Sequence, residues 1–373
     1  MKNFVNLTST LKQGANVGDK MLKQFVVSAL MMLTVIATAS FAAETKVEGR
    51  IYSNWTLNTT DGADNYNNFD LGRSYVTVKS KLSDYTNVVI TMDLRSIDGY
   101  KGYTMILKNG YAAWKPKFAD NYLTFTLGLQ PTKYLDAVDN LFWGRRYVLN
   151  STGDLNNFLT TADLGVTINT DLGKKGAYGS AGLAILNGTK YSDVIEKNKQ
   201  KDINPYLIFN PFPNNADFSK SVVAAQFYSG TQNIAFGDSL NAGDYKNQIA
   251  SIGVELPYKK IFNVGCDLNW QTLGQGAGQD DLKKSALSGF GTIYLEPLVG
   301  ASSYLRTLDL FGRVDKYDPN TNIDKDASTM IIAGVECVPV KGVAASINYR
   351  STDFQADNVK TTSGIYFNSE FKF

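Results

Sequence analysis

Along most of this chain apolar and polar residues alternate singly, the period of a strand with one greasy and one wet face. Over 46–58, Val47, Gly49, Ile51, Ser53, Trp55 and Leu57 fall on one face, and Lys46, Glu48, Arg50, Tyr52, Asn54 and Thr56 on the other. A second strand over 69–80 turns Val76 and Val78 outward and Arg73, Tyr75, Thr77 and Lys79 inward. The third, 86–95, turns Val88, Ile90, Met92 and Leu94 outward against Val89, Thr91, Asp93 and Arg95. The same pattern predicts strands over 105–115 and 122–130, then near 162–170, 177–187, 202–209, 221–229, 247–256, 261–272, 286–296, 303–315, 329–338, 342–352 and 362–373. The total is 16, an even number, as single-chain bacterial barrels require. The registers of 177–187 and 221–229 are ambiguous, so 14 or 18 strands also fit.

The two ends of the chain point the same way. Met21 is followed by Lys23, an apolar run over 25–36 and small residues up to Ala43. That order is the n-region, h-region and cleavage site of a secretory signal peptide, too short to span a bilayer as a helix. The expected division is a leader region, 1–42, with Met21 as initiator and cleavage after Ala42, and one transmembrane domain, 43–373. At the other end Ile365, Phe367, Phe371 and Phe373 share one face. A greasy strand ending in Phe is a hazard in a soluble protein. It resembles the closing strand that the barrel insertion machinery reads, which makes Phe367, Phe371 and Phe373 the candidate assembly signal.

The fold class expected is therefore all-β: a transmembrane antiparallel β-barrel integral to the outer membrane of a Gram-negative-type bacterium, in contact with its lipids. Connections of two lengths fit this. Short ones (81–85, 116–121, 171–176, 257–260, 339–341) are expected on the periplasmic side, and longer polar ones outside. The longest, 131–161, is the third external loop and carries Tyr134, Leu135, Leu141, Phe142, Trp143 and Tyr147. A solvated tip needs no such groups, so the loop is expected to fold inward against the wall, or else to pack on a neighbouring subunit.

Charge and composition narrow the chemistry. Residues 43–373 carry 33 basic and 34 acidic side chains, a net charge of −1, which suggests no nucleic-acid partner. Histidine is absent, which removes the commonest general base and metal ligand, and no carboxylate pair is picked out by spacing. No enzyme, cofactor or metal site is expected. Cys266 and Cys337 form either one bridge or two small lipid-facing groups.

About 16 strands enclose an aqueous lumen. Arg50, Arg73, Asp93, Arg95 and Arg350 are its expected lining. Lys133, Asp136, Asp139, Arg145 and Arg146 on the third loop are the expected constriction and selectivity residues.

Several short stretches resemble one family. These are LGRSYVTVKSKL at 71–82, NGYAAWKP at 109–116, LGLQPT at 127–132 and DLGV at 163–166, with IAGVE at 332–336, INYR at 347–350 and the closing strand. Together they resemble the phosphate-selective porin O and P family. The resemblance implies a 16-stranded, usually trimeric barrel with an inward third loop. It does not imply phosphate here, because several inward positions are acidic. The function expected is passive diffusion of small hydrophilic solutes or ions, weakly anion-selective, with anions such as phosphate among the solutes. The alternative is a non-channel barrel for surface binding, adhesion or envelope structure.

Overall fold

The computed structural model describes residues 44–373 apart from 65, 97–100, 120–121, 238–239 and 301–302. The expected leader lies outside the described residues. Sixteen strands form one closed antiparallel barrel. They are β1 (Glu44–Asn58), β2 (Asn67–Ser83), β3 (Thr86–Ser96), β4 (Tyr103–Trp114), β5 (Leu123–Pro131), β6 (Ala162–Asp171), β7 (Gly179–Leu186) and β8 (Asp202–Phe209). The second half comprises β9 (Val222–Thr231), β10 (Lys246–Tyr258), β11 (Phe262–Leu273), β12 (Leu282–Tyr294), β13 (Leu308–Asp318), β14 (Ser328–Val340), β15 (Val343–Phe354) and β16 (Thr362–Lys372). Each pairs with its sequence neighbour, and β16 closes on β1 with Phe367 opposite Trp55 and Phe371 opposite Ile51. Closure removes the sheet edge that would otherwise template aggregation.

Alternation sorts the side chains inside out. Ile90, Leu127, Val166 and Ile347 are exposed, whereas Thr91, Asp93, Asn269 and Arg313 are buried. A water-soluble protein does the opposite. An outward apolar belt around a polar interior is the solution for a wall standing in lipid, where every backbone group must pair within the sheet. Cys266 and Cys337 remain free thiols, so the bridge does not form.

The ambiguous strands have a physical explanation. In β7, Ala184 and Leu186 are buried while Leu183 and Ile185 are exposed; in β9, Ala224 and Tyr228 are buried while Phe227 is exposed. Both faces are apolar because Ala184, Leu186, Ala224 and Tyr228 join the hydrophobic cluster formed by Tyr134 and Leu135. The other departure concerns β12 and β13, expected over 286–296 and 303–315. Lys283 and Lys284 belong to β12, at a strand end where long charged side chains reach water. The following connection, 295–307, contains a helical turn, Glu296–Val299, opened by Pro297 at a position where its missing N–H costs nothing. It and 210–221 lie at the end that holds Glu44 and Phe373 and are longer than the 274–281 connection opposite, so loop length separates the two ends less cleanly than expected.

Candidate functional site

The segment between β5 and β6 is tied at its base, where the Thr132 hydroxyl donates to the Thr160 carbonyl at 2.6 Å. From there α1 (Lys133–Ala137) runs into a π-helical turn, Val138–Phe142, and later α2 (Thr152–Leu155). Of the six large apolar groups singled out in the sequence, Tyr134, Leu135, Phe142, Trp143 and Tyr147 are buried, and Leu141 is half exposed.

Four of these buried groups meet particular strands. The Tyr134 hydroxyl donates to Asp267 of β11 at 2.5 Å. Phe142 lies over Gly253 of β10, where a Cβ would come within 2.3 Å of its ring, so a larger residue there would push the segment away. Trp143 meets Phe290 of β12 and Phe311 of β13 edge-on, at 6.1 and 5.9 Å. Edge-to-face contacts of this kind are each worth roughly 0.5–1.5 kcal/mol beyond area burial. Tyr147 donates to Glu336 of β14 at 2.6 Å, and its ring stands 6.5 Å from Tyr52 of β1. Two inward arginines hold the backbone: Arg313 donates to the Asn150 carbonyl and Arg350 to that of Val148, both at 2.8 Å.

Arg145 and Arg146 take different places. Arg145 is buried and forked onto Glu336 Oε2 at 3.0 and 2.7 Å, with a third donation to Thr292 Oγ1 at 2.8 Å. It does not line the cavity described below. Arg146 does, but it is shared between Asp139 and, at 2.6 Å, Asp154. Burial opposes that charge, and the two carboxylates more than offset it, holding the guanidinium well above its ordinary pKa. Both arginines are thus engaged by carboxylates.

Between this segment and β1–β4 lies a cavity of about 850 Å³. Seven basic side chains line it: Arg50, Lys79, Lys108, Lys133, Arg146, Lys341 and Lys372. Three acidic ones oppose them: Glu48, Asp136 and Asp139. Lys79 and Glu48 pair at 2.7 Å. Arg50 leans on Glu370, 3.5 Å away, and on the Tyr52 hydroxyl. Asp136 is open to the cavity and enclosed by protein on its other sides. That enclosure raises its carboxyl above the usual range; Lys133 pulls the other way and Asp139 adds to the rise.

Of the remaining expected residues, Phe373 borders the cavity and the others fall outside its lining. Arg73 pairs with the fully buried Asp93 at 2.8 Å, and Arg95 stands beside them. Arg350 is bound to Asn348 and Asn368. Phe367 and Phe371 are exposed on the outward face, and Phe373 is exposed just past the end of β16. Phe373 also exchanges backbone hydrogen bonds with Gly49 at 2.8 and 3.1 Å, and its ring covers the space a Cβ on Gly49 would need. No cluster of metal-ligating side chains occurs among the described residues.

Sequence reasoning missed Lys108, Glu336 and Tyr191. Lys108 sits at a β-bulge opposite Thr91 and Met92, and the extra residue turns it into the cavity. Strict alternation with Gly110 and Ala112 would have sent it outward. Glu336 meets a loop residue 191 positions away, and no local pattern announces such a contact. Tyr191 is a single aromatic in a polar loop.

No known family model matches this chain, and no curated protein sequence does. Solved structures do. The outer membrane channel DcaP of Acinetobacter baumannii matches 90% of this chain and 99% of its own at 10% identity, with a TM-score of 0.62. An anion-selective porin from Comamonas acidovorans matches 89% of this chain and all of its own at 13% identity and a TM-score of 0.59. The trimer form of OmpT, an outer membrane protein of Vibrio cholerae, matches 89% of this chain and all of its own at 15% identity and 0.59. At such identities the likeness is one of fold: a closed 16-stranded barrel shared with outer-membrane porins and channels.

Proposed function

We propose that this chain is an outer-membrane porin, a passive diffusion channel for small hydrophilic solutes with a weak preference for anions, phosphate among them. The carrying observation is the cavity between the 131–161 segment and β1–β4, with its seven basic and three acidic side chains. Reading the 131–161 segment as an inward-folded third loop supports this function. One segment can meet both β1 and β11, far apart on a closed ring, only by crossing the space they enclose. It then leaves an off-centre passage along β1–β4. In a narrow passage with low-dielectric walls a few charges set the field, because charges beyond the Debye length of ~8 Å are screened. The similar anion-selective porin and the trimeric neighbour support the anion preference and a homotrimer.

Selectivity provides the test. Lys133 lines the cavity from the loop side. Lys133→Glu should move the reversal potential toward cations in a salt gradient across a planar bilayer, more at low salt. An unchanged potential at low salt would remove Lys133 from the passage.

Assembly provides a second test. Phe373 closes β16 against Gly49 of β1 through two backbone hydrogen bonds. Its deletion should lower the outer-membrane yield and leave degraded or periplasmic material. A normal amount of heat-modifiable barrel would count against Phe373 as an assembly signal.

A further inference from the structure

β4 pairs with β5 only from Gly110 to Trp114, so the half of β4 nearer the long loops has no β5 partner. The loop after β7 lies against this stretch. From it Tyr191 enters the wall, where its buried ring packs with Leu129 and Ala162. Its hydroxyl reaches a group of charges at the lip of the cavity. It accepts from Arg73 at 2.8 Å and donates to Asp93 Oδ2 at 3.1 Å. The same Asp93 oxygen takes the Arg73 ion pair at 2.8 Å. Asp93 is therefore fully buried and doubly held, and its charge is not presented to the bore.

Two more cations stand around the same ring. Arg95 lies 5.5 Å and Lys108 5.7 Å from its centroid. Arg95 also makes a long contact with the Tyr191 hydroxyl, at 3.5 Å, and Lys108 donates to the Tyr75 hydroxyl at 3.3 Å. Neither forms an ion pair among the described residues. The group thus holds three cations and one carboxylate, and the carboxylate is engaged by Arg73 and the tyrosine.

We infer that Tyr191 is a positioning residue that sets ion preference: by holding Asp93 against Arg73, it leaves Arg95 and Lys108 free to meet anions at the mouth of the passage. The inference rests on the diffusion-channel reading. Without the hydroxyl, Asp93 loses a donor and draws in Arg95, which already stands beside that hydroxyl. One free cation is then consumed at the lip.

Reversal potentials in a potassium chloride gradient test this with four proteins: wild type, Tyr191→Phe, Asp93→Asn and the double variant. Phenylalanine keeps the ring among Leu129 and Ala162, so the barrel should assemble. Tyr191→Phe should shift the potential toward cations, and Asp93→Asn should shift it toward anions. In the Asp93→Asn background, Tyr191→Phe should add nothing, because no carboxylate remains to recruit Arg95. Arg95→Gln should reproduce the Tyr191→Phe shift. A purely structural role for Tyr191 would alter yield or thermal stability without this sign pattern. Channels whose potential ignores Tyr191→Phe, or shifts equally with and without Asp93, would overturn the inference and leave the channel reading intact. A folded wild-type barrel that never conducts would instead remove the channel reading itself.

Discussion

Arg145→Ala should destabilise the barrel by roughly 3–5 kcal/mol, the usual cost of stranding one member of a buried ion pair. Arg145 and Glu336 are both more than nine-tenths buried, and Arg145 makes three hydrogen bonds across the pair and to Thr292. Removing the guanidinium leaves Glu336 with Tyr147 alone. Two consequences should be separable. Urea or thermal unfolding of the detergent-solubilised barrel should show the stability loss. Single channels should become larger or noisier, because the 131–161 segment has lost a tether. Glu336→Gln in the Arg145→Ala background should recover part of the stability, since the stranded charge is gone. Full stability in the single variant would mean that the pair does not hold the segment.

The second large effect concerns which face of the wall meets lipid. Ile90→Arg should cost roughly 2–4 kcal/mol if the residue sits near the bilayer midplane. Ile90 is exposed on the outward face midway along β3, and its neighbour Thr91 lines the cavity. Thr91→Arg should cost much less in folding, because its charge can reach water, although it should narrow the passage. Refolding into lipid vesicles, followed by the heat-dependent shift in gel mobility, would compare the two. Equal losses would put Ile90 and Thr91 in equivalent surroundings and refute the facing of the whole wall.

Much of the fold was legible because lipid and water impose opposite demands on alternate residues. That contrast is strong where one face is wholly polar, as in β1, and sixteen strands could be read from it. It fades where the inner face meets other side chains instead of water. Ala184, Leu186, Ala224 and Tyr228 are apolar because Tyr134 and Leu135 join them, and their strands read as greasy on both sides. The loop advertised its burial through five aromatic and aliphatic groups, yet Leu141 beside them stays open. The electrostatics were least legible. Adjacent cations at 145 and 146 stand out in the sequence as a selectivity element, but a charge held closely by a partner acts less strongly on the bore. The partners come from β14 for one arginine and from within the loop for the other. Lys108, which no such partner holds among the described residues, was hidden by a one-residue bulge.

The central claim is that the barrel encloses a water-filled passage. Purified protein added to a planar lipid bilayer should produce discrete stepwise rises in current, with step size growing in proportion to the conductivity of the bathing salt. Intact, heat-modifiable barrels that insert into the membrane without any such steps would contradict the channel and favour a barrel built for surface binding or envelope structure.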